Sequence, residues 1–250
     1  MERFLCTELL LGKEKLKKLR ESTVTVIGLG AVGSYCVEGL ARSGIGALRL
    51  VDFDDIKATN INRHLYAFTS TVGRKKTEIA LERVRDINPE CRVEALEIFA
   101  GEATLDRILD NNPDVVIDAI DSLNPKTQVL FTCYSRKIPL ISCMGAAMRT
   151  DPFSMKTGDL FDIKGCPLAS RIRKKLRKKG IEYGIFCVYS GQKQKASVSE
   201  KGMTLPEREY ERGRKRRKLG SLSTVTGMFG LAVAHCAIDL LTGGSYPEPG

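Results

Sequence analysis

The sequence predicts an α/β fold: a doubly wound, mostly parallel, Rossmann-like sheet with an antiparallel extension towards the C-terminus. Three observations carry this. Short β-branched runs alternate with helix-length amphipathic segments between Val24 and Cys143, as in parallel strands joined by crossover helices. The first run, V-T-V-I, opens into Gly28-x-Gly30-x-x-Gly33, a loop that lets backbone N–H groups close on phosphates at a helix N-terminus. The second run, L-R-L-V-D, places Asp52 at a strand's carboxyl end, where a carboxylate can accept both hydroxyls of a ribose.

Taken in order, Arg3–Arg20 reads as one amphipathic helix, with Leu5, Leu9, Leu16 and Leu19 near helical spacing; residues 1–22 are thus an N-terminal appendage. Val24–Gly28 is a strand, Ala31–Arg42 a helix closed by Gly44, and Ala47–Phe53 the next strand. Lys75–Asp86 is a helix ending before Asn88-Pro89, Arg92–Ile98 an alternating strand, and Leu105–Leu109 a short helix. Asp114–Ile120 is a buried strand, Pro125–Ser135 a helix and Leu140–Cys143 a strand, so that 23–160 form the nucleotide-binding unit. After Gly145 the pattern loosens, and residues 161–250 form a basic portion. Ser154–Asp159 and Ile185–Ser190 are expected strands, Pro167–Lys179 a helix, Gln192–Arg217 a crossover loop, and Gly227–Leu241 the closing helix.

At 250 residues and 42% hydrophobic, the chain can bury a sizeable core. The start lacks a signal-peptide pattern, and the eight cysteines form no C-x-x-C pair; both fit a reducing cytoplasm. Only His64 and His235 are available, which leaves histidine metal sites and Ser-His-Asp chemistry poorly supplied; His235, in an apolar run, reads as a satisfied core residue. Leu222–Leu241 is about as long as a membrane span, yet its glycines, hydroxyls, His235 and Asp239 suit a buried packing helix. Of the net charge of +10, the surplus is local: residues 164–218 hold 18 Lys/Arg against 5 Asp/Glu, and the rest of the chain 22 against 25. Such a footprint marks a polyanion surface.

The residues that carry chemistry follow from these placements. Asn60, Asn62 and Arg63 form a donor cluster just past Asp52, Arg offering a planar fork and Asn neutral donors. Alone such a loop is more often solvated, and a dehydrogenase does not need it; an enzyme that grips the triphosphate of ATP during nucleotidyl transfer does. Lys76, in V-G-R-K-K, follows a glycine turn at a helix start and can reach β- and γ-phosphates, with Arg74 and Lys75 competing for the role. Asp121, just beyond V-V-I-D-A-I, can hold Mg²⁺ against the triphosphate, with Asp118 a weaker second candidate; Asp54 and Asp55 are ambiguous between a role here and capping the following turn. No covalent nucleophile stands beside a base, and Cys187 reads as a structural thiol. Arg171, Arg173, Lys174, Lys175, Arg177, Lys178 and Lys179 decorate a helix whose Leu168, Ile172 and Leu176 can dock it; with the run 212–218 they suggest RNA contact.

G-L-G-A-V-G, D-F-D, T-N-I-N-R, V-G-R-K-K and D-A-I-D-S occur in the order and spacing of the ubiquitin-activating-enzyme superfamily, which the chain resembles over residues 10–160. The resemblance implies a catalytic set of Arg63, Lys76 and Asp121, with Gly28, Gly30, Gly33, Asp52, Asn60 and Asn62 binding ATP and Asp121 also holding Mg²⁺. The phrases A-R-S-G-I-G-A-L-R-L-V-D-F-D-D and D-I-N-P-E-C-R-V are similar to its tRNA-modifying branch, which cyclises a threonylcarbamoyl group on the adenosine beside the anticodon. That branch implies tRNA as substrate and, as in some relatives, a cysteine desulfurase partner, and the superfamily implies a homodimer. Branches that adenylate ubiquitin-like sulfur carriers typically have Arg-Gln where this chain has Arg63-His64, and C-x-x-C zinc ligands that it lacks.

Overall fold

The computed structural model describes residues 2–193 and 219–245. Its strands are β1 (Thr23–Ile27), β2 (Ala47–Val51), β3 (Arg92–Leu96), β4 (Val115–Asp118), β5 (Leu140–Cys143), β6 (Met155–Asp159) and β7 (Phe186–Ser190). They form one sheet in the order β3-β2-β1-β4-β5-β7-β6, parallel throughout except for β6 against β7. The expected architecture, antiparallel extension included, is therefore the observed one. Chain direction reverses its walk across the sheet between β1 and β4, the switch point beyond whose carboxyl ends ligands bind in such folds.

Two strands stop earlier than the apolar runs suggest, for one reason. Asp52 Oδ1 accepts the N–H of Asp54 at 2.9 Å, and Asp118 Oδ1 that of Ile120 at 3.1 Å. Each acid folds the chain into a turn that ends its strand.

The helices are α1 (Leu5–Leu11), α2 (Lys13–Glu21), α3 (Gly33–Arg42), α4 (Lys76–Ile87), α5 (Leu105–Ile108), α6 (Leu123–Ser135), α7 (Pro167–Arg177) and α8 (Ser223–Leu241). The single N-terminal helix expected over Arg3–Arg20 is two, because Gly12 breaks it at φ +85°. Only α2 buries leucines, Leu16 and Leu19, while Leu9 and Leu10 of α1 are 78% and 83% exposed.

α8 is long and apolar enough to cross a membrane by composition, yet Val225, Phe229, Val233 and Ala237 are buried in the main core. It lies close against α3: a Cβ on Gly230 would meet Val32 O at 2.4 Å, so only glycine permits this approach. The buried stripe excludes His235, which is exposed instead of sitting in the core as its apolar neighbours suggest.

Candidate active site

The loop after β1 is tight because the fold demands it. Gly28 takes φ +90°, and a Cβ on Gly33 would fall 1.8 Å from Gly28 O, so α3 starts directly beneath the turn. Gly30 differs: a Cβ there would meet nothing within 4 Å, and protein packing gives no reason for the missing side chain. That is the cradle expected where a backbone must leave room for phosphate.

Asp52 organises the centre. Its Oδ2 accepts the Leu29 N–H at 2.7 Å, fixing the glycine loop to the end of β2, and its Oδ1 lies 3.6 Å from Lys76 Nζ. Lys76 Nζ also lies 3.0 Å from Asp54 Oδ2, and its side chain is 9% exposed. Burial pulls the Lys76 ammonium pKa down. The carboxylates of Asp52, Asp54 and Asp121 outweigh it and hold the group above its ordinary value.

The competition among three adjacent cations is thereby resolved. Arg74 pairs with Glu78 and Glu82, and Lys75 with Asp55 and Glu97, all partly exposed. Only Lys76 turns into the buried acids. Asp54, ambiguous in the sequence between a site role and a turn cap, is its nearest partner.

The loop 57–66 is pinned over the start of α3, where Leu65 N–H donates to Ser34 Oγ and Tyr66 OH to Ser34 O. Asn60 Oδ1 accepts the Lys57 N–H at 3.0 Å, and Asn62 Nδ2 donates to Ser221 O at 3.0 Å. Arg63 folds back on its own loop, donating to Thr59 O at 2.7 Å and Asn62 Oδ1 at 2.9 Å.

His64, not singled out as a site residue, is 4% exposed. Its Nδ1 accepts the Tyr66 N–H at 3.1 Å, which leaves the proton on Nε2, a buried atom without a hydrogen-bond partner among the described residues. The Leu29 carbonyl is near enough to favour that proton but outside hydrogen-bond geometry. Burial, then the Lys76 charge, depress the imidazole pKa to about 4. A neutral, orphaned N–H beside the glycine loop and Lys76 is a donor still to be used. Its sequence signal was its place directly after Arg63.

Asp121 is exposed at the end of β4, with Ser122 Oγ 3.3 Å from its Oδ1. Asp118 is a different case and not a metal candidate. It is fully buried, accepts Ser142 Oγ at 2.7 Å and pairs with Lys126 Nζ at 2.7 Å. Lys126 of α6 is equally buried and donates to Ile120 O and Cys143 O, bracing the turn that carries Asp121. Among the described residues no group of three or more His, Cys, Asp or Glu side chains could hold a metal by itself.

Cys187 is fully buried in β7, and burial pushes its thiol well above the ordinary value, as suits a structural role. The α7 cations divide into two sets. Arg173 donates to Leu160 O and Ile163 O and so leaves the outward set that suggested RNA contact, whereas Arg177 stays exposed with its guanidinium 5.5 Å from the Phe161 ring centre. Arg171, Lys174, Lys175, Lys178 and Lys179 line a groove against α6 instead. The second basic run, 212–218, lies outside the described residues.

The ThiF family model matches residues 5–249. The chain is 44% identical over 192 residues to the tRNA threonylcarbamoyladenosine dehydratase of Bacillus subtilis, covering 77% of this chain and 76% of that protein. It is 36% identical over 247 residues to the Escherichia coli protein of that name, covering 94% and 91%. The crystal structure of the E. coli dehydratase in complex with ATP superposes with a TM-score of 0.86 at 32% identity, over 96% of this chain and 93% of that one.

Proposed function

The chain belongs to the ThiF family, and from that we propose that it is an ATP-dependent tRNA-modifying enzyme that dehydrates threonylcarbamoyladenosine beside the anticodon. The observation that carries this reading is the Leu29–Asp52–Lys76–His64 constellation at the sheet's switch point, in a chain matching the dehydratases over most of its length.

A carboxylate is a poor electrophile until one of its oxygens becomes part of a phosphate leaving group. Consumption of ATP supplies that activation. The carbamoyl group of the same side chain then attacks the carboxyl carbon, and the phosphate departs with the oxygen that would otherwise leave as water. Because attack is intramolecular, no bimolecular entropy cost arises and no protein nucleophile is needed.

The residues divide the work by charge and geometry. Backbone N–H groups from Gly30 to Gly33 at the α3 N-terminus receive phosphate oxygens. Asp52 spends one acceptor position on Leu29 and one on Asp54, leaving lone pairs for the ribose hydroxyls. Lys76 and Arg63 supply positive charge to the triphosphate, and Asn60, Asn62 and the His64 Nε2–H supply neutral donors. Asp121 is the carboxylate suited to Mg²⁺, which adds charge neutralisation at the same oxygens.

A homodimer is part of this reading, supported by the exposed Leu5, Leu9 and Leu10 of α1, and light scattering tests it. Cytoplasmic placement follows from a tRNA substrate, and a cysteine desulfurase partner is tested by pull-down. The deciding experiment is mass spectrometry of nucleosides from threonylcarbamoylated tRNA after incubation with protein, ATP and Mg²⁺. Loss of one water from the modified adenosine is expected. Unchanged tRNA, together with pyrophosphate exchange stimulated by a Gly-Gly-ended carrier protein, would favour adenylation of a sulfur carrier instead.

A further inference from the structure

Between α6 and α7 runs a groove of about 800 Å³ whose two walls differ in kind. One is a row of exposed cations, Arg171, Lys174, Lys175 and Lys178, at positions i, i+3, i+4 and i+7 of one helical face, followed by Lys179. The other is apolar, from Leu105, Leu123 and Phe131, interrupted by the amide and hydroxyl groups of Gln128, Thr127 and Thr132.

Several basic side chains elsewhere on this surface are neutralised. Arg49 pairs with Glu94, Arg74 with Glu78 and Glu82, Arg83 with Glu38, and Arg136 with Asp106. Among the described residues the five groove cations make no ion pair, and one acid, Glu102, shares the lining with them. Lys175 Nζ is 2.8 Å from the neutral Asn124 Oδ1, and Lys179 Nζ is 3.9 Å from the centre of the Phe131 ring. Like charges gathered on one wall repel one another and are retained where a polyanion relieves them.

The groove also has a direction. Leu123 and Asn124 are its lining at the first turn of α6, two and three residues beyond Asp121. It therefore opens beside the candidate active site and leads away from it along α6.

We propose that this groove holds an unpaired stretch of RNA next to the reacting nucleotide, with phosphates on the α7 cations and a base taking the place of Lys179 Nζ over the Phe131 ring. The inference rests on the tRNA reading given above. A charged row facing an aromatic floor is the pairing that single strands require: backbone charge met on one side and a π-face on the other. Gln128, Thr127 and Thr132 offer hydrogen bonds to base edges, which a purely electrostatic surface does not.

The test uses the full chain, a labelled tRNA pool and a short single-stranded RNA. Wild type is compared with Phe131→Leu, which keeps apolar volume but loses the ring, and with Lys174→Gln/Lys178→Gln. Both RNAs are expected to bind wild type. Phe131→Leu is expected to weaken binding about tenfold with little change in salt dependence. The double lysine variant should flatten the slope of log affinity against log salt by about 1.4, roughly 0.7 for each lost phosphate contact on a single strand. ATP affinity should be unchanged in both, and a 4-thiouridine RNA should photo-crosslink to the α6 peptide containing Phe131. Variants that retain wild-type RNA affinity and slope overturn the groove while leaving the tRNA reading intact. A wild type that binds neither RNA overturns both.

Discussion

Lys126 Nζ and Asp118 Oδ2 lie 2.7 Å apart with both side chains fully buried, beneath the turn that presents Asp121. Removing one partner of such a pair leaves an uncompensated charge in the interior, at a cost of about 3–5 kcal/mol. Lys126→Met should therefore lower stability by that order in a denaturant titration. Asp118→Asn/Lys126→Met, which removes both charges, should be less destabilised than Lys126→Met alone. A double variant at least as unstable as the single one would show that the pair's remaining hydrogen bonds, to Ser142, Ile120 and Cys143, matter more than its charge.

Arg63 and Lys76 should separate in their effects. Each presumed charge in the triphosphate site is worth about 10²-fold or more in turnover, so Arg63→Ala and Lys76→Ala should both lose most dehydration activity. Among the described residues Arg63 hydrogen-bonds only within its own loop, and Arg63→Ala should melt like wild type. Lys76 is the buried counter-charge to Asp52 and Asp54, so Lys76→Ala should also lower the melting temperature. Near wild-type rates for both variants at saturating ATP would remove the proposed site.

Asp121→Asn should weaken the Mg²⁺ dependence of activity far more than adenosine binding, because an amide lacks the charge that holds a hard cation. Raising Mg²⁺ should restore part of the rate. If the Mg²⁺ titration of the variant overlays that of wild type, the carboxylate acts only through its field on Lys76.

What the sequence made legible was what local spacing decides. Gly28, Gly30 and Gly33 follow a strand, Asp52 ends the next, and the switch point then brings both to one edge. The choice among Arg74, Lys75 and Lys76 was beyond it, because consecutive residues at a helix start point roughly 100° apart and only the acids on neighbouring elements select one. The Asp118–Lys126 pair was illegible for a related reason: it depends on how α6 lies over β4, and a lysine in P-K-T-Q reads as solvated. Arg173 misled similarly, since the carbonyls that bind it, of Leu160 and Ile163, belong to a turn with no sequence signature.

The buried imidazole of His64 gives a last prediction, in pH. The unfolded chain binds a proton there near pH 6.5, whereas the folded one resists protonation down to about 4. Above about pH 6.5 both states are neutral and the group contributes no pH dependence. As pH falls from there to about 4, the unfolded state gains protons that the folded state refuses, and stability drops by up to about 3 kcal/mol. Below that window the loss is complete and levels off. His64→Gln keeps a neutral N–H donor beside the glycine loop but cannot titrate, so its melting temperature should fall less steeply between pH 6.5 and 4 than that of wild type. Activity at neutral pH should survive, since the wild-type imidazole is already uncharged there. Identical pH–melting curves for the two proteins would mean that His64 takes up a proton as readily in the folded chain as in the unfolded one, and its assignment as a buried neutral donor to the phosphates would then fail.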